Sequence, residues 1–521
     1  MTTTTRTSSP TLYRTLVPWV VAAVIVVAVF LWDTEFGVAA AFLAVAALIF
    51  RAHTWLAICT AAWGFVFLAV LTIPGPYDSP AGRAAVPILG IYAAWFLAAW
   101  YFGRRLAANK RRPEQSTVTE NTVVMPAVAT GSAVTVVMPA VATGSADTVV
   151  MPAVTTGSAD TVVMPAVTTR PPMDRAGVES ARAELRWPAE SRLRAFVLFL
   201  LLLSLIGAAL KFRGEVPPLF ADNPDAAREA VRLRSNLITG LFSEFWGIGL
   251  AISLLRALTG KAEGRWTYVV FVVIFAFGAA LGASKNSVLL GIVPPLVAAL
   301  SVRRSATISR KNRLRVSLVV LVIGAVAMGA AVFLGGQRTL AGTGQFEDQF
   351  RAQYGASPLY ASVGSLDLSL SSSVETFGRL WQVREQHPPT WGRYTLTFTG
   401  SLGDRLLGPA DIYKITARLS KPFYMNTATF VAIPLLDYGP IGAVLFLSAL
   451  GFCVGVVDRR LTYTSSPAHQ LTRAFVIYFA TFGVYELYPV VQPFWLALAP
   501  GLVALYLLSK PMRWIPEWMK R

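Results

Sequence analysis

The sequence predicts an all-α, polytopic membrane protein of about twelve transmembrane helices. Three observations predict it. The chain has 521 residues, 55% of them hydrophobic and only 14% charged, whereas a soluble domain carries about 25% charged residues. The apolar residues fall in runs near the length of roughly 20 that a spanning helix needs. The net charge of +18 is gathered between those runs, on alternate sides.

Taken in order, the apolar segments are 16–32, 37–50, 55–73, 84–102, 195–210, 238–255, 266–282, 287–302, 316–334, 440–457, 472–486 and 492–509. The first is followed by Asp33 and Glu35 with no small-residue cleavage site, so it reads as a span and not as a cleaved signal. Basic residues set the orientation. Arg104, Arg105, Lys110, Arg111 and Arg112 follow the fourth span, and Arg303, Arg304, Arg310, Lys311, Arg313 and Arg315 separate the eighth from the ninth. Arg459, Arg460, Lys510, Arg513, Lys520 and Arg521 mark the same side further on. Counting spans puts all of these, and both termini, in the cytoplasm. The positive charge is then a topology signal, and nucleic acid is not an expected partner.

This divides the chain into an N-terminal four-span region (1–112), a cytoplasmic linker (113–190), a second membrane region (191–334), a large external loop (335–439) and a C-terminal membrane region (440–521). The linker carries a 13-residue repeat, TVVMPAVATGSAV and three close copies, starting at Thr122. A solenoid unit is usually 20 residues or more with a face to bury. This one is rich in Pro, Gly, Ser and Thr and reads as disordered, with a root-mean-square span of roughly 45 Å for about 70 residues. It is either a spacer or a docking tail, with Thr122, Thr135, Thr148 and Thr161 as equivalent phosphorylation positions.

Cys59 and Cys453 lie in apolar runs, and His53, His387 and His469 are far apart. No disulfide framework, zinc site or haem motif is expected, and no cofactor or metal. Chemistry is expected on the external side. The external loop mixes nine basic and eight acidic residues with aromatic anchors, which suits a folded amphipathic cap on the membrane. Its segment 371–386 reads as a helix capped by Ser371, Ser372 or Ser373, with Val374, Phe377 and Trp381 on one face and Glu375 and Arg379 as an i,i+4 pair. Arg384 follows Trp381 on that side.

Polar groups also gather at the outer ends of spans. Lys285 lies in the short Gly282-Ala283-Ser284-Lys285-Asn286-Ser287 turn, and Arg338 ends the Gly335-Gly336-Gln337-Arg338 exit of the ninth span. Asn426 opens Asn-Thr-Ala-Thr-Phe, followed by Leu-Leu-Asp437-Tyr-Gly-Pro-Ile-Gly. That run reads as a half-helix returning to the membrane, a turn, and the tenth span, with Asp437 either capping the span or reactive. Arg228 and Arg232 share a face if Asn223-Pro224-Asp225 starts a helix. Arginines at an outer membrane edge hold phosphate or diphosphate in bidentate fashion, and a leaving diphosphate is stabilised by fixed cations.

The ASKNS turn, the GGQR exit, the large external loop and MNTATFVAIPLLDYGPIGAVLF resemble the O-antigen polymerases (Wzy-type oligosaccharide repeat unit polymerases), which are related to the O-antigen ligases. The resemblance covers 195–509. It implies a GT-C-type glycosyltransferase of the bacterial cytoplasmic membrane. That enzyme would join lipid-linked repeat units, carried on undecaprenyl or another polyprenyl diphosphate, into a surface polysaccharide without metal, and other polysaccharide-assembly proteins would be the partners that dock on the cytoplasmic repeat. Arg338 would then hold diphosphate. Lys285 stands where the family often carries arginine in a G-S-R-type turn, which loses the bidentate fork. The ligases use an external histidine as base, and His387 is the external histidine here. Glu375 and Asp437 are the other candidates for activating an acceptor hydroxyl. The diphosphate or glycan would meet Arg338, Lys285, Arg228, Arg232, Arg379, Arg384 and Asn426. A ligase acting on another acceptor, or a polysaccharide or lipid flippase, are the alternatives.

Overall fold

The computed structural model describes residues 33–50, 52–72, 80–109, 185–234, 237–260, 264–282, 285–304, 357–396, 412–420, 428–485 and 492–510, with a few isolated residues between them. Among these residues the secondary structure is helical, without a strand. The helices are α1 (Thr34–Ile49), α2 (Thr54–Thr72), α3 (Pro80–Asn109), α4 (Glu190–Lys211), α5 (Pro224–Arg234), α6 (Leu237–Thr259), α7 (Arg265–Ala280) and α8 (Lys285–Arg304). They are followed by α9 (Pro358–Gln382), α10 (Ile412–Leu419), α11 (Ala432–Leu461), α12 (Pro467–Phe482) and α13 (Gln492–Leu508). Five of them, α2, α3, α4, α6 and α11, are long and apolar enough to cross a membrane. Four more are apolar but shorter. The expected spans 16–32 and 316–334 fall largely outside the described residues, as do the repeat, Arg338 and Asn426.

Packing follows from small residues, because lipid tails supply no hydrophobic drive between apolar helices and close approach must do so. The sequence Gly451-Phe-Cys-Val-Gly455 places two glycines on one face of α11. A Cβ on Gly451 would lie 2.3 Å from the Phe96 carbonyl oxygen, and one on Gly455 2.1 Å from that of Trp100. The pairing of 96 with 451 and 100 with 455 makes α3 and this leg of α11 parallel. The alternation expected of spans four and ten from the sequence predicts the same direction. α4 and α6 run antiparallel, with Gly207 against Phe242 and Glu190 bonded to Arg256.

One end of the bundle is closed by a buried ionic cluster. Asp458 and Arg473 are 0% and 3% exposed. Arg473 Nε donates to Asp458 Oδ1 at 2.7 Å, and Arg104 donates to Oδ2. Trp55 Nε1 donates to Ser301 Oγ at 3.1 Å, which ties the start of α2 to the end of α8 here. This is the basic end. Opposite lie the starts of α3, α6 and α8.

The tenth apolar segment is only part of its helix. The rings of Phe430 and Phe96 are 5.2 Å apart, yet Gly451 also lies against Phe96. In a straight helix residues 430 and 451 would be about 30 Å apart. The chain therefore doubles back. It does so at Gly439 (φ 69, ψ −176), a backbone state that is essentially glycine-only. Pro440 then starts the long leg, and the Tyr92 hydroxyl donates to its carbonyl at 3.2 Å.

The helix expected over 371–386 is the end of a longer one. The helix begins at Pro358, with Ser357 at the N-cap position and proline at N1, so Ser371, Ser372 and Ser373 are interior residues and not caps. Nor does α9 lie as an amphipathic cap on a surface, since residues 371–378 are all buried. Small side chains let it sink. A Cβ on Gly378 would be 2.2 Å from the Ala81 carbonyl, and Ser373 Oγ donates to Val484 O at 3.3 Å.

Candidate functional site

α9 presents an unusual face. Ser372, Glu375, Thr376 and Arg379 fall at i, i+3, i+4 and i+7, the spacing of a core-facing stripe, but every one is polar. Ser372 and Thr376 are 0% exposed and Glu375 is 4% exposed. Glu375 Oε1 accepts from Arg379 Nε at 3.0 Å, and Arg379 Nη1 donates to Leu419 O at 3.0 Å on α10. Glu375 and Arg379 thus meet as the sequence spacing predicts, inside the protein. The other carboxylate oxygen fills the space over Gly82, where a Cβ would be 2.4 Å from Oε2. The hydroxyls of Ser372 and Thr376 have no hydrogen-bond partner. An orphan buried hydroxyl costs about 1–3 kcal/mol, so this stripe stores a demand for polar partners.

The loop after α9 caps it and then wraps the tip of the α11 hairpin. Arg384 Nη1 donates to Trp381 O at 2.7 Å, and its guanidinium lies 4.4 Å from the Trp381 ring centroid. It also pairs with Glu385 at 3.2 Å. The Arg384 side chain therefore supports the C-terminal end of α9, whose C-cap residue is Val383. His387 follows a single 3₁₀ turn, 384–386, and is half-buried beside Pro388.

Asp437 is 0% exposed, and both of its oxygens are occupied. Oδ1 accepts from Thr390 Oγ1 at 2.6 Å and Tyr394 N at 2.9 Å. Oδ2 accepts from Thr395 N at 2.6 Å and Thr395 Oγ1 at 2.5 Å. The expectation that Asp437 caps the tenth span is corrected by this geometry. Its carboxylate caps the turn 390–396, and the span starts beyond it because Gly439 turns the chain away. No lone pair is left over for an acceptor hydroxyl in this arrangement. Trp391 in that turn has φ 54, donates its N–H to Asp437 O at 2.8 Å and is 76% exposed.

A second polar cluster lies at the same end, between α4, α5 and α6. Asn223 Oδ1 accepts from Ala226 N at 3.1 Å, so the Asn-Pro-Asp start of α5 is as the sequence predicts, and Arg228 and Arg232 lie one turn apart on it. Lys211 Nζ donates to Ser243 Oγ at 3.4 Å, and Arg228 and Glu244 are both within its electrostatic range. Lys285 opens α8 directly, and Leu219 N, on the approach to α5, donates to Leu281 O at 3.1 Å in the turn before it. Lys211 and Glu244 are not among the residues expected from the sequence. The available signal was a lone carboxylate in the apolar run Leu241-Phe-Ser-Glu244-Phe-Trp, since an ionisable group in a span is costly and marks function by default.

Among the described residues no three His, Cys, Asp or Glu converge as metal ligands. No family model, curated protein or solved structure matches this chain.

Proposed function

We propose that the chain is a membrane glycosyltransferase that polymerises polyprenyl-diphosphate-linked oligosaccharide repeat units on the external face. The buried polar stripe of α9 carries this reading. A polyhydroxylated sugar is the ligand class that satisfies orphan hydroxyls beside a carboxylate, and the stripe lies at the end opposite the basic one, which the positive-inside pattern makes external. The second cluster, with Arg228 and Lys211, brings cations to that same end for a diphosphate, and α8 begins there at Lys285. Arg338 and Asn426 belong to the same reading through the sequence resemblance.

In this reading the acceptor hydroxyl is held along Ser372 and Thr376. Its oxygen attacks the anomeric carbon as the bond to the diphosphate oxygen breaks. Glu375 takes the acceptor proton, and the departing diphosphate carries its new charge to the cations. Arg379 orients Glu375. Asp437 and Arg384 are positioning residues that fix the loop 384–396. His387 and Lys285 remain candidates for substrate contact.

The test is the pattern of lipid-linked glycans in cells that depend on this chain, separated on a gel with expression checked. Glu375→Gln, Arg338→Ala and Lys285→Ala are expected to lose polymer and accumulate a single lipid-linked repeat unit. Gly82→Ala is expected to do the same more mildly, about tenfold, because its Cβ displaces the Glu375 carboxylate. Long lipid-linked polymer that is not passed on would make the chain a ligase. Repeat units trapped on the cytoplasmic leaflet would make it a flippase. Unchanged glycans would overturn the assignment.

A further inference from the structure

At the basic end, away from both polar clusters, two helix N-termini converge on a buried arginine. α4 begins at Glu190 and α7 at Arg265, and neither has a side-chain cap. The first N–H groups of such helices have no partner within the helix, and the dipole adds positive potential. The two starts are neighbours, because a Cβ on Gly264 would lie 2.7 Å from Arg194 Nη2 and 2.9 Å from Glu190 Oε1. Arg256, from the last turn of α6, reaches into this point.

Arg256 is held with care. Its side chain is 8% exposed. The guanidinium lies 5.7 Å from the Trp187 ring centroid and 5.3 Å from that of Tyr268. Its Nη2 donates to Glu190 Oε2 at 2.9 Å. Residue 260 is glycine where a Cβ would fall 1.2 Å from Nη1, so any larger residue would evict the group. Yet Nε and Nη1 are buried without a hydrogen-bond partner. Orphan donors on a charged group cost more than orphan hydroxyls. Glu190 is shared, since its other oxygen accepts from Arg194 Nε at 3.0 Å, so it does not neutralise both arginines.

The geometry points to an anion site here, and we propose that it binds the phosphate group of a ligand on the basic side of the membrane. Two uncapped helix N-termini, a guanidinium with two unused donors and a second, half-exposed arginine are the elements of a phosphate cradle. Glu190 acts as the built-in competitor, sitting where the phosphate would also be drawn. The depth fits a headgroup, since Trp266 beside it is 80% exposed at the end of an apolar helix. The shared chemistry is a phosphate mono- or diester, from an anionic lipid or a soluble phosphate. This assignment is independent of the transferase reading.

The experiment uses the purified full chain and reads thermal unfolding. One arm compares vesicles of phosphatidylcholine with vesicles containing phosphatidylglycerol. The other adds inorganic phosphate against chloride at equal ionic strength. A ligand bound only to the folded state raises the midpoint as its concentration rises. Wild type is expected to be stabilised in at least one arm. A response to phosphatidylglycerol alone identifies a lipid headgroup, and a response to phosphate as well identifies a soluble-phosphate site. Arg256→Gln is expected to lose the response. Glu190→Gln, which removes the competitor, is expected to tighten binding at least threefold. Because Arg256→Gln leaves Glu190 without one partner and could unfold the chain, the Glu190→Gln result decides independently. No stabilisation of wild type in either arm, or unchanged or weaker binding in Glu190→Gln, would overturn the site.

Discussion

Replacing Asp437 with Asn separates a clamp from a catalytic base. The side chain accepts four hydrogen bonds, two from backbone N–H groups of Tyr394 and Thr395 and two from the hydroxyls of Thr390 and Thr395. Asparagine keeps one oxygen, which can serve Thr390 and Tyr394 as Oδ1 does now. On the other side an NH2 group replaces the acceptor. The Thr395 hydroxyl can rotate and accept from it, but the Thr395 N–H cannot, so one donor is left facing a donor. That orphan costs about 1–3 kcal/mol, and the remaining bonds lose their charge assistance. A total near 3 kcal/mol follows, or about a hundredfold in local opening at 1.4 kcal/mol per tenfold. Hydrogen exchange read by mass spectrometry on peptides covering 390–396 measures it directly. Exchange in this loop is expected to accelerate about a hundredfold, while α6 and α7 are unchanged. Under the proposed transferase reading, polymer formation falls as well, because the loop moves. Unaltered exchange in 390–396 with complete loss of activity would refute the clamp and return Asp437 to the role of base.

Three further outcomes are expected. Gly455→Ala puts a Cβ 2.1 Å from the Trp100 carbonyl oxygen, and should cost about 2–3 kcal/mol because backbone cannot yield as a side chain does; a melting midpoint within error of wild type would contradict the close α3–α11 packing. Gly439→Ala forces a Cβ onto φ 69, ψ −176 and should cost about 1–3 kcal/mol, read by the same melt, whereas no loss would mean the hairpin tip lies elsewhere. Asp458→Asn leaves Arg473, 3% exposed, without its carboxylate and should cost about 3–5 kcal/mol. Replacing Arg104, Asp458 and Arg473 together by Met, Leu and Met should recover most of that loss, and failure to recover would mean the cluster does more than hold the end shut.

The helices were legible where the physics is local. A run of apolar residues near 20 long can satisfy its backbone in lipid only as a helix, so α2, α3, α4 and α6 follow from composition alone. Asn223 before Pro224 marks the start of α5 for the same reason, because the cap and the proline act within one turn. Even the half-helix and turn before Pro440 could be read, since Gly-Pro leaves the chain few choices.

The site was legible only as pairs. Glu375 and Arg379 are four apart and meet as helix geometry requires. What no local pattern contains is where a face points. Ser371, Ser372 and Ser373 look like a cap to any reading of neighbours, and only the docking of α9 on Ala81 and Gly82 turns them into buried interior positions. Asp437 looks like a cap for the span that follows it, but its hydrogen bonds run to a loop more than forty residues back along the chain. Arg256, Glu190 and the starts of α4 and α7 are brought together by packing alone. Sequence by itself determined which segments are helices, because burial of backbone in lipid is a per-segment demand. Only the tertiary structure decided which polar groups those helices bury and leave unpaired, because hydrogen-bond satisfaction is settled between elements and not within them.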